Sequence, residues 1–401
     1  MAFHKLTLRD LAPAGKRVLT RVDFNVPLRD GAVSDDTRMV ATLPTLRYLL
    51  HKQARIVLMS HLGRPKGAPD PHFSLKPVAT RLERLLRMPV AFADDCVGPE
   101  AETNSRALTD GQVLLLENLR FHPGEEKNDP LFAKALAALG DLYVNDAFGT
   151  AHRAHASTEG VPRLLKPAAA GFLMEQELTH LGAALEKPTR PFVAILGGAK
   201  ISGKIDVITH LLDKVDHLLI GGAMMFTFLS ALGRPTGRSL VEEDRIDLAR
   251  TVLERAAAQK VELLLPVDCV ASTAADGSAA ARTTKVEDLR PDEMGVDIGP
   301  ETLREFARRI HDAKTVLWNG PMGIFEVPAF AAGTLGIAHA MAEATPHGVV
   351  TIVGGGDSAA AVQQAGLSDR LTHLSTGGGA TLEFLEGKVL PGVAALDDRS
   401  P

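Results

Sequence analysis

The sequence predicts an α/β protein of two Rossmann-like domains, each built on a parallel sheet, joined by a connecting helix and a hinge. Two observations carry this prediction. Short β-rich runs alternate with helical patterns along the chain, which is typical of parallel α/β architecture. The length of 401 residues is also too great for one ordinary core, and it suits two domains of about 170–200 residues each.

Polar residues follow the strands that we predict in the first half of the chain. The predicted strands span residues 17–24, 55–60, 113–116 and 141–144, and the helices between them include 36–51 and 75–86. The polar residues just past these strands are Asp23, Asn25, His61, Arg64, Glu117, Asn118, Arg120, Asn145 and Asp146. Because ligands of open α/β sheets bind outside the carboxyl ends of the strands, this half is expected to hold a small acidic ligand.

Glycine-rich turns follow the strands that we predict in the second half. The strands span residues 192–196, 217–220, 349–353 and 373–376, and the turns are Gly197-Gly198-Ala199-Lys200, Gly221-Gly222-Ala223, Gly354-Gly355-Gly356-Asp357 and Gly377-Gly378-Gly379-Ala380. Glycine lets backbone N–H groups approach a ligand closely, and a following helix N-terminus attracts anions. These turns predict a polyphosphate in the second half.

A helical pattern separates the two halves. Phe172, Leu178, Leu181 and Leu185 fall near one face of a helix, and the proline-bounded segment 186–191 ends it. We therefore predict a first domain over residues 1–171, a connecting helix over 172–186 and a second domain over 187–380.

Composition excludes several classes of function. A net charge of −5 provides no basic field for nucleic acid or anionic membrane, and an aromatic content of 4% argues against stacking platforms for single strands. Cys96 and Cys269 lack any CxxC spacing and are expected to be buried small residues. The start of the chain has no apolar signal segment, and no run is long enough to span a bilayer, so we expect a cytoplasmic protein.

Gly198-xxxx-Gly203-Lys204 nearly matches a P-loop. The next residue is Ile205, so the hydroxyl that would bind Mg²⁺ is missing. Lys200 and Lys204 stand four apart at a predicted helix start, where both ammonium groups can face one phosphate chain or be solvated.

Gly354-x-Gly356-x-x-Ala359 nearly matches the dinucleotide fingerprint. That motif needs an acidic residue at the end of the following strand, and here another glycine turn stands there instead. Asp357 inside the turn is either a metal ligand or a helix N-cap, and the other phosphate-type turns favour the metal.

Arginine is the predicted anion clamp of the first half. Arg38, Arg64, Arg120 and Arg153 each lie just beyond a strand or at a helix start. Any one of them alone is typical of a surface residue. Together, however, they lie beside Asp23, Asn25 and His61, which favours an anion-binding cluster. His152 and His155 flank Arg153 without a metal-ligand set, so we read them as loop structure.

The longest motifs resemble the signatures of phosphoglycerate kinases. They are Arg21-Val-Asp-Phe-Asn-Val-Pro27, Met59-Ser-His-Leu-Gly-Arg-Pro65, Glu117-Asn-Leu-Arg-Phe-His122, Val144-Asn-Asp-Ala-Phe-Gly-Thr-Ala-His-Arg-Ala-His-Ala-Ser157, Leu196-Gly-Gly-Ala-Lys200, Trp318-Asn-Gly-Pro-Met-Gly323, Gly354-Gly-Gly-Asp-Ser358 and Ser375-Thr-Gly-Gly-Gly379. They follow in the family's order over nearly the whole chain, and motifs of this length are highly specific. Met294 departs from the aromatic residue that the family often carries.

The resemblance implies phosphoryl transfer between 1,3-bisphosphoglycerate and MgADP, giving 3-phosphoglycerate and ATP. It implies that the glycerate substrate is bound by Asp23, Asn25, Arg38, His61, Leu62, Gly63, Arg64, Arg120 and Arg153. The nucleotide site would be lined by Lys200, Lys204, Gly221, Gly295, Asn319, Glu326, Gly354, Gly355, Gly356, Asp357 and Ser358. Asp357 would hold Mg²⁺, and the transferring group would be cradled by Arg38, Lys204, Gly377 and Gly378.

The resemblance further implies hinge bending, with residues 381–401 returning to the first domain. We expect a monomer with small-molecule substrates and no nucleic acid or membrane partner. Two alternatives use parts of the same pattern. A nicotinamide dehydrogenase would need the absent ribose carboxylate, and a non-catalytic nucleotide-binding scaffold would have no need of Arg38 or Lys204.

Overall fold

The computed structural model describes residues 4–399. The chain forms two compact units, one made of residues up to Thr179 together with those from Val389 onward, the other of His180–Lys388. Each unit contains a six-stranded sheet whose strands all run parallel, with helices between successive strands. The predicted α/β class with parallel sheets is confirmed.

The strands are numbered in chain order. They are β1 (Arg17–Val22), β2 (Leu28–Arg29), β3 (Ala32–Val33), β4 (Arg55–Met59), β5 (Ala91–Ala93), β6 (Val113–Leu116), β7 (Leu142–Asp146), β8 (Ala168–Ala170), β9 (Phe192–Leu196), β10 (His217–Ile220), β11 (Glu262–Leu264), β12 (Asp268–Ser272), β13 (Ala281–Lys285), β14 (Met294–Ile298), β15 (Thr315–Asn319), β16 (Val350–Gly354) and β17 (His373–Leu374).

The α-helices are numbered in the same way. They are α1 (Thr37–His51), α2 (Lys76–Leu86), α3 (Pro99–Ala107), α4 (Pro123–Glu126), α5 (Pro130–Ala137), α6 (Val161–Leu164), α7 (Phe172–Glu186), α8 (Ile205–Leu212), α9 (Met225–Ala231), α10 (Ile246–Ala258), α11 (Pro300–Asp312), α12 (Ala332–Ala344), α13 (Gly356–Gln364), α14 (Gly379–Leu385) and α15 (Pro391–Ala394). Among residues 4–399, none of the helices has the length and apolar character needed to cross a membrane.

The sheet of the first unit has the order β5-β6-β4-β1-β7-β8. Its central strand β1 pairs with β4 from Arg17↔Arg55 to Arg21↔Met59, and with β7 on the other side. Strands β1, β4 and β6 are largely buried, and the core beneath them includes Val18, Ile56, Leu58, Val113 and Leu115. The parallel pairing brings the carboxyl ends of these strands to one edge of the sheet.

The sheet of the second unit has the order β11-β10-β9-β15-β16-β17. Strand β9 lies between β10 and β15, with the pairs His217↔Val193 and Thr315↔Phe192. The glycine turns after these strands therefore share one edge, as the sequence pattern predicts.

The sequence did not reveal every strand. Strand β8 is a run of alanines, which have low β-propensity. Strand β13 is mostly polar and exposed, and it joins β12 and β14 in a separate antiparallel sheet. Neither segment shows the apolar run or alternation that marks a strand in sequence.

Helix α7 closely follows the predicted span, whereas one helix start was predicted too early. The phosphate-type lysines were expected at a helix start, but α8 begins at Ile205. Lys204 is the residue just before this helix, and Lys200 lies in the preceding turn. The Gly-Gly turn and Ser202-Gly203 explain the difference, because glycine disfavours helix.

The last residues of the chain pack with the first unit. Leu6 N–H donates to the Asp397 carbonyl over 2.7 Å, and Asp397 N–H donates to the Ala168 carbonyl over 2.9 Å. Helix α14 belongs to the second unit, and α15 belongs to the first.

Cys96 and Cys269 are buried free thiols, in agreement with the prediction. Burial raises the pKa of the Cys96 thiol well above its usual value. Its sulfur lies near Asp95 and His122, but Nε2 of His122 and Oδ1 of Asp95 already pair at 2.6 Å. We therefore interpret the cluster of Asp95, Cys96 and His122 as a local structural contact.

Candidate functional site

In the first unit, the predicted anion-binding residues lie where β1, β4, β6 and β7 end. Asp23 and Asn25 follow β1, His61 follows β4, and Arg120 stands in the turn after β6. Arg38 comes from the first turn of α1. The chain crosses back between these strands, so residues far apart in sequence meet at one sheet edge.

Hydrogen bonds hold the polar residues of this edge in place. Arg38 Nη1 donates to Asp23 Oδ2 over 2.9 Å, and the N–H of Gly63 donates to Asn25 Oδ1 over 2.9 Å. Arg120 Nη1 donates to the Gly63 carbonyl over 2.8 Å. The loop after β4 is thus tied to two of the predicted binding residues.

The same loop is braced by a residue with no assigned role. Asn118 accepts from the N–H of Leu62 over 3.2 Å and donates to the Leu62 carbonyl over 2.7 Å. Gly63 has φ +60°, and a Cβ there would lie 2.3 Å from the Phe73 ring, so only glycine fits. Arg64, next in the loop, is exposed.

His61 is the buried centre of the cluster, with only 4% of its surface exposed. Burial lowers the pKa of His61 well below its usual value, and the charges of Arg21, Arg120, Arg153 and Arg38 lower it further. The structure therefore brings these arginines within electrostatic reach of one neutral imidazole. Arg153 is partly buried, and its Nε lies 3.2 Å from Nε2 of His152.

Several members of the cluster are not among the site residues predicted from sequence. Arg21 is 1% exposed on β1, and its Nη2 lies 3.1 Å from Nδ1 of His61. Glu125 is buried on α4, where burial raises the pKa of its carboxyl group. Burial and neighbouring arginines lower the pKa of His155 to about 4. The signal that could have identified Arg21 is its place in the motif Arg21-Val-Asp-Phe-Asn-Val-Pro27.

In the second unit, Lys204 is the most perturbed of the predicted nucleotide-binding residues. Burial lowers the pKa of its ammonium group to about 8, although Asp357 and Glu386 pull it upward. Its Nζ contacts Oδ1 of Asn319 at the end of β15. Glu386, which was not predicted as a site residue, also pairs with Lys388 over 2.6 Å.

Asn319 connects this lysine to a glycine turn. The side chain is 1% exposed, and its Nδ2 is buried without a hydrogen-bond partner among the described residues. A Cβ on Gly355 would lie 3.1 Å from this Nδ2 atom, so the amide lies against the turn before α13. Behind the turn, the N–H of Gly320 donates to Ser358 Oγ over 2.7 Å.

Some of the glycines serve backbone packing as well. A Cβ on Gly222 would lie 2.4 Å from the Gly198 nitrogen, and one on Gly320 would lie 2.3 Å from the Gly197 carbonyl oxygen. One on Gly221 would lie 2.4 Å from the sulfur of Met322. The turns after β9, β10 and β15 are thus packed against one another too tightly for side chains.

Asp357 is exposed in the first turn of α13. The N-cap position belongs to Gly355, and no side chain caps this end of the helix. The capping role that competed with metal binding for Asp357 is therefore excluded here.

The turn after β17 differs from the prediction in one detail. The N–H of Gly377 donates to Ser375 Oγ over 3.1 Å, and Gly377 is buried. Gly378 stands at the start of α14 with φ +51°. The N–H of Gly377, one of the two predicted to cradle the transferring group, is therefore already engaged by Ser375.

Three further residues are predicted to line the nucleotide site. Lys200 and Glu326 are exposed. Gly295 lies on β14, where its N–H donates to Ser239 Oγ over 3.0 Å and a Cβ would lie 2.1 Å from the Phe226 ring. The structure brings none of these three into the contacts of Lys204 and Asn319.

Known proteins resemble the chain over nearly its full length. The phosphoglycerate kinase family model matches residues 8–388. Phosphoglycerate kinase of Chlorobium phaeovibrioides is 58% identical over 395 residues, which cover 98% of this chain and 100% of that protein. That of Chlorobaculum tepidum is also 58% identical with the same coverage.

Solved structures agree with the sequence comparison. Phosphoglycerate kinase from Coxiella burnetii superposes with a TM-score of 0.90 at 42% identity, covering 98% of both chains. The structure from Pyrococcus horikoshii gives a TM-score of 0.85 at 32% identity, with the same coverage. The chain belongs to the phosphoglycerate kinase family.

Proposed function

We propose that the arginine cluster of the first unit and the glycine turns of the second are the two substrate sites of the family's reaction. The enzyme transfers phosphate between 1,3-bisphosphoglycerate and ADP, giving 3-phosphoglycerate and ATP. Each site lies at the carboxyl ends of a parallel sheet, where such folds bind ligands. Each of the two domains predicted from sequence, residues 1–171 and 187–380, contains one of these sites.

The first unit binds the glycerate substrate. Its ligands are Asp23, Asn25, Arg38, His61, Leu62, Gly63, Arg64, Arg120 and Arg153. The observation that carries this assignment is the set of guanidinium groups around the neutral His61. Their mutual repulsion is relieved by an anion, and guanidinium forks match carboxylate and phosphate oxygens.

The second unit binds the nucleotide. Its ligands are Lys200, Lys204, Gly221, Gly295, Asn319, Glu326, Gly354, Gly355, Gly356, Asp357 and Ser358. Support comes from the partly buried Lys204 ammonium group, because desolvation lowers its pKa although Asp357 and Glu386 raise it, which leaves room for further charge compensation. Phosphate oxygens supply that compensation, and Glu326 is suited to accept ribose hydroxyls.

Transfer depends on positioned charge. The attacking carboxylate of 3-phosphoglycerate is already ionised, so the reaction needs no general base. Charge on the transferring group is stabilised by Arg38, Lys204 and the N–H of Gly378, with Gly377 shaping the turn behind it. A direct in-line transfer then requires the reacting atoms to approach to about 3–3.5 Å.

Magnesium enters with the nucleotide. The family uses its nucleotide substrate as a magnesium complex. The exposed carboxylate of Asp357, which makes no capping bond, fits an oxygen-preferring cation, so Asp357 would hold the ion. Bound there, Mg²⁺ would neutralise charge on the phosphates.

Closure is the remaining part of the proposal. An acyl phosphate hydrolyses in water, so the two substrates must meet in a site from which water is excluded. We therefore expect hinge bending driven by both ligands together, in a cytoplasmic monomer. Small-angle scattering of the free, binary and ternary states should show a smaller radius of gyration only in the ternary state. A radius that stays constant across all states would contradict closure.

The assignment of the reaction is tested by a coupled assay for ATP formed from 1,3-bisphosphoglycerate and MgADP. We expect ATP formation with saturation by both substrates. Nucleotide binding without turnover would indicate a scaffold, and hydride transfer to a nicotinamide would indicate a dehydrogenase.

A further inference from the structure

A chain of buried hydrogen bonds runs beneath the proposed glycerate site. Arg21, His61, Glu125 and Ser157 are each at most 4% exposed, and none of them except His61 has a role in the proposed function. An arginine and a glutamate are almost never buried this deeply unless they are paired. The burial of Arg21 and Glu125 therefore calls for an explanation in terms of their partners.

The contact between Arg21 and His61 determines which ring nitrogen carries the proton. Arginine has only donors, so the 3.1 Å contact of Nη2 with Nδ1 of His61 is a bond donated to Nδ1. Nδ1 must then be unprotonated. A neutral imidazole with an accepting Nδ1 carries its proton on Nε2.

Neutrality of His61 follows from its surroundings. The positive charges of Arg21, Arg38, Arg120 and Arg153 all disfavour a further proton on the ring, as burial does. Among residues 4–399, no group forms a hydrogen bond with Nε2 of His61, whereas Nδ1 has its partner. The Nε2–H group is therefore the one available to an anion.

Arg21 itself is held on its other nitrogens. Its Nε donates to Ser157 Oγ over 2.9 Å, and Nη1 donates to the Val22 carbonyl. Ser157 Oγ in turn donates to Glu125 Oε1 over 2.5 Å, and the N–H of Ser157 donates to Glu125 Oε2 over 2.9 Å. The buried carboxylate thus orients the serine that orients the arginine.

We propose that Arg21, held by Ser157 and Glu125, is a positioning residue that keeps His61 in the neutral tautomer protonated at Nε2, so that this N–H donates to the anionic glycerate substrate. The proposal rests on the proposed function for the identity of the anion. The tautomer itself is a property of the free enzyme, so the two parts can fail separately.

The direct test is long-range ¹H–¹⁵N spectroscopy of free enzyme labelled with [¹⁵N]histidine, with His61 assigned from the spectrum of His61→Gln. We expect an unprotonated Nδ1 and a protonated Nε2 between pH 6 and 8. In Arg21→Lys, which keeps the charge opposite Glu125 but loses the fork, the two nitrogen shifts should move towards each other as the tautomers mix. Arg17→Lys is the matched control on the same strand, since Arg17 pairs with Asp141, and it should leave the spectrum unchanged.

Kinetics provide a second readout. Because the Nε2–H bond would be made equally before and during transfer, Arg21→Lys should raise KM for 3-phosphoglycerate about twofold, as expected when about half of the molecules hold the other tautomer, and should leave kcat unchanged. The increase in KM should follow the population of the Nδ1–H tautomer seen in the spectrum. A merely structural role would give no such correlation.

A protonated Nδ1 in the unaltered enzyme, or an unchanged His61 spectrum in folded Arg21→Lys, would overturn the proposal. If thermal unfolding shows that Arg21→Lys does not fold, Ser157→Ala takes its place, with a smaller shift in the same direction expected and an unchanged spectrum counting against the proposal. Should 3-phosphoglycerate fail to bind the unaltered enzyme, the proposed function would fail while the tautomer result would stand.

Discussion

The two units present anion-binding groups in different ways. In the first, long charged side chains such as Arg38 and Arg120 reach the sheet edge and are held by Asp23 and by the Gly63 carbonyl. In the second, closely packed glycine turns form the edge, and the partly buried Lys204 contacts Asn319 there.

This difference matches the two proposed ligands. A small, highly charged acid offers few oxygens, and separate guanidinium forks can reach each of them. A nucleotide offers a longer phosphate chain, which backbone N–H groups can follow only where side chains are absent. Lys200 is exposed, whereas Lys204 is held at this edge by Asn319, so we expect the second unit to depend more on this one lysine than the first unit depends on any one arginine.

The largest expected effect is therefore that of Lys204→Ala. Removing the partly buried ammonium group should lower kcat by about 10²–10⁴, because its charge acts chiefly in the transition state. Steady-state kinetics with both substrates provide the measurement. Lys214→Ala, just past the other end of α8, is the control. Near-native kcat with only a raised KM would mean that Lys204 serves binding alone.

Arg38→Ala tests whether several arginines of the first unit share the stabilisation of charge on the substrate. Turnover should fall by about 10²–10³, less than for Lys204→Ala, because neighbouring arginines still face the substrate. Arg47→Ala, exposed on the same helix, is the matched control for both kinetics and thermal unfolding. A fall as large as that of Lys204→Ala would break the contrast between the units.

Asp357→Asn isolates the metal from the turn. We expect MgADP to bind at least about tenfold more weakly, whereas metal-free ADP should bind as before, since only the complex needs the carboxylate. Isothermal titration with and without Mg²⁺ measures both, and Asp369→Asn beyond the same helix is the control. Equal losses for the two forms would show that Asp357 is structural.

The smallest effect that we expect is a fall in kcat/KM at high pH, caused by deprotonation of Lys204. Its pKa of about 8 in the free enzyme means that its charge is lost as the pH rises through that value, so kcat/KM for MgADP should fall above about pH 8. Lys204→Arg stays charged over the whole accessible range and should lack this fall, whatever its absolute rate. An identical fall in that variant would assign it to another group.

The titration of Lys204 also affects folding stability, and here the dependence on pH has the opposite sign. The folded-state pKa of Lys204 lies below its ordinary value, so between about pH 8 and 10.5 the unfolded chain binds more protons. Stability arising from this group therefore increases with pH across that window. Urea unfolding of the unaltered enzyme and Lys204→Arg at both ends of the window should show the increase only in the former.

The sequence alone is enough to predict the α/β class, eight of the twelve strands of the two parallel sheets and the two kinds of strand-end residues. Apolar runs and alternation reflect burial, which acts locally on each segment, and long motifs such as 144–157 preserve their order along the chain. Those features alone placed Arg38 and His61 beside the strand ends of the first half, and Lys204 and Asp357 beside those of the second.

The three-dimensional fold is needed to know what each residue faces. It showed that Arg21 is buried beside His61, that Asn319 contacts Lys204, and that Ser375 occupies the N–H of Gly377. Burial, charge and tautomer are set by side chains that are distant in sequence and meet only when the parallel strands align. For that reason the chain's local pattern could identify the candidate residues but could not assign their partners or their protonation.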